Sequence, residues 1–413
     1  MTDDRGERYD ALLAAASLLF ANGQSTAMTQ TAVARLNRGL DLDAVVVPTW
    51  SMLTLTAAGS RTTVLTSAVS PTAINMRRVA AMMSVADRAQ DGPLELEHVT
   101  AGVAKAERQP GSGTTAFVIA CAAGAAALSV IYGADQPLVL LLVAVAAAGG
   151  GLLRRWLGAA GAGPLTQAFG AALLAGGVGA AATHAGLGTA AALVAICPAM
   201  VLVPGPHILN GALDMLDLRV PLGLARLAFG LLLLTAISGG LIVGLHAGGQ
   251  TLAVTAQSSS APFLVDVVAA GVAAASYPVF FSMPWRMIGW PVAAGMLAHG
   301  VHWLAVAAGA SLAIAAFASC LLVGTLLVPI SHRMRIPFAG IGFAAVVALV
   351  PGVFVFRTLA GFVEFAGAPS AELLSASAGD LIGASVIVAA MALGLALPMH
   401  VHAAMLRRRH AAA

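Results

Sequence analysis

From residue 114 to residue 405 the chain is a succession of apolar runs separated by short polar joints, and each run is long enough to cross a bilayer. About 20 residues rising 1.5 Å each span a hydrocarbon core of roughly 30 Å. Inside lipid every backbone N–H and C=O must find its partner within the segment, so such runs fold as helices. Ten spans read at 114–132, 136–153, 165–184, 187–217, 222–245, 262–282, 287–307, 311–330, 336–366 and 379–405. Only 9% of the 413 residues are charged and 59% are apolar, against about 25% charged in an average soluble domain.

The arginines set the expected topology, because short cytoplasmic loops collect Lys and Arg. Arg154 and Arg155 follow the second span, Arg219 the fourth, Arg286 the sixth, Arg333 and Arg335 the eighth, and Arg407, Arg408 and Arg409 the tenth. The loops after the first, third, fifth and seventh spans carry none. Both termini are therefore expected in the cytoplasm.

The fourth and ninth spans are too long for one simple crossing, and each contains the same tetrapeptide: Leu202-Val203-Pro204-Gly205 and, 147 positions on, Leu349-Val350-Pro351-Gly352. Proline lacks the helical N–H and glycine tolerates non-helical dihedrals, so both helices are expected to break there. The same shift lays spans one to five over spans six to ten. Five is odd, so the second half enters the membrane from the opposite side, which makes an inverted repeat. The expected fold class is a membrane all-α protein: ten transmembrane helices as a five-plus-five inverted repeat with two Pro-Gly-broken helices. A small α+β cytoplasmic domain precedes it.

The division expected is 1–113 for that domain, 114–245 for the first membrane half and 246–413 for the second. In the first part, 8–22 and 25–40 read as helices with Ser25 or Thr26 as a cap. The Val/Thr/Leu-rich segments 43–48, 50–57 and 61–69 read as strands with a turn at Ala58-Gly59, and helices resume at 72–87 and 94–107. Gly111-Ser112-Gly113 reads as a flexible linker.

Ionisable groups inside a membrane cost about 2.5–3.5 kcal/mol each on insertion scales, so they are functional suspects. His207, Asn210 and Asp214 follow the first break at spacings of three and four, on one helical face; Arg357 and Glu364 follow the second, seven apart. Under the shift Asn210 and Arg357 are equivalent and should approach across the pseudo-two-fold axis. A broken helix offers free N–H groups to a carboxylate and free carbonyls to an ammonium, which suits an amino acid or an organic acid. For Arg357 and Glu364 the alternative is an ion pair near the outer interface; for Asp214 it is pairing with Arg219 or Arg226. Asp266 is either a proton site or the cap of the sixth span, and His299 with His302 either a proton relay or ordinary helix-end histidines. His400 and His402 lie on a basic helix end.

Cys121, Cys197 and Cys320 all fall inside apolar spans, where they read as small buried hydrophobes without a disulfide. No Cys-x-x-Cys, His-Glu-x-x-His, Walker loop or nucleophile elbow occurs, so the expectation is no enzyme site, no cofactor and no metal.

With these segments laid out, the chain resembles the threonine/serine exporter family. The resemblance rests on Gly23-Gln24-Ser25-Thr26, Val47-Pro48-Thr49, Arg61-Thr62 and Asn75-Met76-Arg77-Arg78-Val79. In the membrane part it rests on Val203-Pro204-Gly205, Asn210-Gly211, Asp214, Gly223 with Arg226, Gly289-Trp290, Pro337 and Leu349-Val350-Pro351-Gly352. It implies export of threonine and serine driven by the proton gradient across the cytoplasmic membrane. By position the resemblance transfers functional interest to Pro204, Gly205, Asn210, Asp214, Arg226, Pro351 and Gly352, while His207 and Arg357 depart from the family pattern. Together with the reading of the residues themselves, substrate is expected at Pro204, Gly205, His207, Asn210, Pro351, Gly352 and Arg357, proton coupling at Asp214, Asp266 and Glu364, and gating or ion pairing at Arg226. Related two-subunit proteins resemble dicarboxylate exporters, and Arg357 would suit succinate-like anions. A membrane-anchored regulatory protein is the remaining alternative, disfavoured because an anchor needs only one or two spans. The expected partners are the small-molecule substrate, protons and the lipid bilayer, with no nucleic acid and with homo-oligomerisation left open.

Overall fold

The structure, a computed structural model, describes residues 2–57, 63–252, 261–334 and 336–412. The expected Ala58-Gly59 turn, Arg61-Thr62 and Arg335 lie outside the described residues, as do the side chains of Arg407 and Arg409.

The N-terminal unit follows the order α1 (Thr2–Ala21), α2 (Thr26–Leu40), β1 (Ala44–Pro48), β2 (Met52–Ala57), β3 (Thr63–Ala68), α3 (Met76–Arg88) and α4 (Leu96–Glu107). The strands form an antiparallel meander with Val46 opposite Leu55 and Leu55 opposite Leu65. Strand alternation buries Ala44, Val46, Leu53 and Leu55 and leaves Val45 and Val47 outside. α1 starts well before the expected residue 8. Ser25 caps α2 by accepting from the Met28 N–H, which leaves the Thr26 hydroxyl to point elsewhere.

Twelve further helices follow. α5 (Thr114–Ile131), α6 (Pro137–Ala159), α7 (Pro164–His184), α8 (Ala191–Met200), α9 (Gly205–Leu216) and α10 (Val220–Ala247) come first. α11 (Phe263–Phe280), α12 (Gly289–Ala307), α13 (Leu312–Met334), α14 (Phe338–Val346), α15 (Gly352–Gly367) and α16 (Ala371–Ala412) repeat that order with starts displaced by 147–152 residues. α7 lies along α10 as α13 lies along α16, and small residues permit both approaches. A Cβ on Gly240 would sit 2.2 Å from the Phe169 carbonyl oxygen, and one on Gly394 2.7 Å from that of Phe317.

This is a multi-pass membrane protein. Among the described residues seven helices are long and apolar enough to cross a bilayer, and the pairs α8–α9 and α14–α15, each bent at a short break, bring the number to nine. The sequence reading counted ten, and the difference is α12. It is 19 residues long, but Trp290, Pro291, His299, His302 and Trp303 dilute its apolar character. Two of those polar atoms have local partners: Trp303 Nε1 donates to the Ala261 carbonyl at 3.0 Å, and His299 Nδ1 meets Asp266 at 3.1 Å. Elsewhere Ile119, Leu141, Val145, Leu231, Leu232, Val268 and Ile314 face outward, as lipid-contacting side chains do, while the interior is filled largely by alanine and glycine.

The Gly111–Gly113 segment differs from the flexible linker expected. Ser112 donates its backbone N–H to Ser282 Oγ at 3.0 Å and its hydroxyl to the Val279 carbonyl at 2.6 Å, while Arg155 donates to the Ser112 carbonyl. Three hydrogen bonds to two membrane helices hold a stretch whose composition alone suggested freedom. The three cysteines are separate buried thiols in α5, α8 and α13.

Candidate functional site

The two breaks have nearly the same backbone. Pro204 has φ −80° and ψ 55°, Pro351 φ −78° and ψ 56°, and the helix axes bend by 57° and 55°. In each, the glycine N–H folds back onto the carbonyl two residues earlier, Gly205 to Val203 and Gly352 to Val350, both at 2.8 Å. These are inverse γ-turns built on proline's fixed φ. The breaks also meet each other reciprocally. A Cβ on Gly205 would lie 2.8 Å from Val347 Cγ2 and 3.7 Å from Val350 Cγ2; one on Gly352 would lie 3.0 Å from Val203 Cγ2 and 3.8 Å from Met200 Cγ. Each glycine thus seats a valine of the opposite broken span, Gly352 most closely Val203 of the tetrapeptide itself and Gly205 most closely Val347, three residues before Val350.

Beyond the first break, His207, Asn210 and Asp214 are all buried on α9. The His207 ring stands edge-on to Phe229 of α10 at 5.1 Å, and Trp50, from the β1–β2 turn, also packs against Phe229 at 5.2 Å. Asn210 Oδ1 is buried without a hydrogen-bond partner among the described residues. The free N–H groups expected at the start of α9 are already used. Pro206 has none, Gly205 bonds to Val203, and His207 and Ile208 both donate to the Pro204 carbonyl. A carboxylate at this break would have to be held by side chains.

Asp214 is where the charges gather. Its Oδ2 lies 3.0 Å from Arg226 Nε and accepts a 3.0 Å hydrogen bond from Thr26 Oγ1; its Oδ1 lies 3.4 Å from Arg219 Nη1. Arg226 is only 1% exposed, and its Nε, though close to the carboxylate, is out of line for a hydrogen bond. Arg219 also pairs with Asp217 at 2.6 Å, and Asp217 in turn meets His400 at 3.0 Å. The His402 and His332 rings meet at a tilt of 53°, with centres 4.8 Å apart.

Beyond the second break, Arg357 pairs with Asp380 of α16 at 3.0 Å, with Phe354 5.9 Å from its guanidinium. Asn210 and Arg357 thus occupy equivalent positions with unlike surroundings. Glu364, at the far end of α15, is exposed. Asp266 does not cap α11, whose N-cap is Pro262; it reaches across to His299 Nδ1 at 3.1 Å, with His302 6.2 Å from His299. Sequence reasoning missed Asp380, Phe229, Trp50 and the role of Thr26. A lone aspartate beside an apolar run was the signal for Asp380. Thr26 was visible only as part of a motif or as a cap.

Two family models match the chain. One, described as "Putative threonine/serine exporter", covers residues 10–248, and the other, described as "Threonine/Serine exporter, ThrE", covers residues 266–401. The chain belongs to the threonine/serine exporter family. In this member of the exporter family the seam between the two matches falls in the connection between α10 and α11, so the first match takes in the N-terminal unit together with α5–α10. Of the two N-terminal stretches on which the resemblance rests, Thr26 lies at the junction with α9 and α10, and Met76 and Arg77 lie against the end of α11. No solved structure matches the chain.

Proposed function

We propose that the chain is a secondary active transporter that exports threonine and serine across the cytoplasmic membrane by proton antiport, with two inverted five-span halves and both termini in the cytoplasm. The observation that carries this reading is the reciprocal seating of Gly205 and Gly352 against the opposite break. Paired broken helices at a repeat interface are the usual place for a transporter's substrate, and a contact between two similar surfaces can exchange one tilt for its mirror. The substrate lies between the Pro204 and Pro351 turns, near His207 and Asn210. Asp214 carries the proton, since neutralising it loosens its hold on Arg226 and Arg219. Asp266 with His299 forms a second proton-accepting pair near the start of α11.

The dicarboxylate reading needs Arg357 as a cation for the substrate's second carboxylate. Asp380 at 3.0 Å already balances that charge, which favours a substrate with one carboxylate. Counterflow in proteoliposomes tests the choice. Vesicles preloaded with threonine or serine are expected to accumulate labelled threonine, and vesicles preloaded with succinate are not. Lack of counterflow with every substrate would overturn the transport reading.

A further inference from the structure

The N-terminal unit is fastened to both membrane halves. On one side α2 begins over α9 and α10: Thr26 Oγ1 donates to Asp214 at 3.0 Å and accepts from Arg226 Nη2 at 3.5 Å. One turn on, Gln30 Oε1 accepts from Arg219 Nη2 at 2.9 Å. The Phe20 ring, at the end of α1, lies 5.2 Å from the Arg226 guanidinium and screens it from water. Trp50 reaches Phe229, which packs against His207. On the other side, the first N–H groups of α3, from Met76 and Arg77, donate to the carbonyls of Phe281 and Ser282 at 2.7 and 3.0 Å, just past the end of α11. Met76 also covers Gly340 of α14, where an added Cβ would sit 3.3 Å from its Cγ and Sδ. Both broken spans therefore have a side chain of the N-terminal unit against them, and two halves joined by one such unit cannot tilt apart on that side.

We propose that the N-terminal unit is the cytoplasmic gate of the translocation pathway, with Thr26 as its latch: substrate is admitted from the cytoplasm only when Thr26 withdraws from the Asp214–Arg226 pair. This rests on the transporter reading given above. The joint is suited to opening. Each hydrogen bond lost to water costs only about 0.5–1.5 kcal/mol net, and water can solvate both charges once Phe20 moves off. The Asp214–Arg226 pair stays together when the unit leaves, so no isolated charge is left behind. Protonation of Asp214 weakens its hold on both arginines, which ties gate opening to the coupling ion. Thr26 is a positioning residue here, acting through Asp214 and Arg226.

Two measurements on the full-length protein test the gate. In a chain whose three native cysteines are replaced by alanine, Gln30→Cys and Arg219→Cys are joined by a short bifunctional thiosulfonate and counterflow is measured before and after reduction. Complete cross-linking is expected to lower counterflow at least tenfold, with full recovery on reduction. In inverted membrane vesicles, labelling of His207→Cys by an impermeant maleimide is expected to rise at least threefold with Thr26→Val and to stay at the parent rate with Thr26→Ser. Unchanged counterflow after full cross-linking, or equal labelling of the Val and Ser variants, would overturn the gate. Absence of counterflow in the unmutated protein would overturn the transporter reading instead, and the labelling measurement, which needs no flux, would still decide whether the unit shields the pathway.

Discussion

After the first break the helix carries an acid, Asp214, whose partner Arg226 stands on the following helix; after the second it carries a base, Arg357, whose partner Asp380 also stands on the following helix. The backbone turn, the bend and the reciprocal valine contacts are shared, whereas the sign of the charge is reversed and the depth differs. The side chains of Asp214 and Arg226 are 4% and 1% exposed, those of Arg357 and Asp380 15% and 9%. The shift that aligns the breaks puts Gly361 and Leu373 where the first half has Asp214 and Arg226, so neither pair is a copy of the other. Each half meets the same mechanical need, joining the outgoing limb of a broken helix to its neighbour by a neutral pair of charges, with different residues. The first pair is deeper because the N-terminal unit covers it, and nothing comparable among the described residues covers the second.

The comparison breaks most visibly at Arg226. Arg226→Gln takes the nearer cation from buried Asp214 and leaves it only Arg219 at 3.4 Å and the Thr26 hydroxyl, an effect of up to about 3–5 kcal/mol, and is expected to lower thermal stability in detergent sharply and to abolish threonine counterflow. Adding Asp214→Asn removes the stranded charge and should recover much of the stability while leaving efflux unresponsive to an imposed pH gradient. A single variant as stable as the parent would mean that the pair is no structural joint.

A smaller effect sharpens the shared part of the two regions. Gly205→Ala places a methyl group 2.8 Å from Val347 Cγ2, where overpacking costs about 1–3 kcal/mol, and Val347→Ala should relieve it. The tightest contact at the other break, Gly352→Ala with Val203→Ala, is expected to behave alike but more mildly, because the gap there is 3.0 Å. Stability and exchange rate of the four single and two double variants measure this. Rescue in only one half would show that the two contacts are not equivalent.

The smallest effects lie along α15. Arg357→Gln takes the partner from Asp380 in a pair less deeply buried than Asp214–Arg226 and away from the proposed substrate turns, so threonine counterflow is expected to stay within a few fold of the parent. Glu364→Gln, on an exposed side chain, should change stability by no more than about 0.5 kcal/mol. Loss of succinate exchange with threonine exchange spared in Arg357→Gln would reverse the substrate assignment.

The broken spans were legible because their cause is local: proline lacks an N–H wherever it stands, and two prolines in matching apolar runs break both. The capped helix α2 and the alternating strands were legible for the same reason. The site was legible in part. His207, Asn210 and Asp214 share a face by helical periodicity alone, but the use of the first-turn N–H groups by Pro204 and Val203 depends on ψ at the break, which the residue names do not specify. α12 is the span least apolar by composition, and its polar residues meet Asp266 and the Ala261 carbonyl, contacts that residue names alone do not disclose.

What the sequence by itself determined is the membrane class, the order of the helices and the two points where they break, since hydrophobic run length and the chemistry of proline act within a few residues. Only the tertiary structure decided which charges neutralise one another. Arg357 meets Asp380 across 23 positions and Thr26 meets Asp214 across 188, and no local rule ranks those partners. In a low-dielectric interior the pairing is set by which groups the packed helices bring within about 3–4 Å, because that proximity is what makes their burial tolerable.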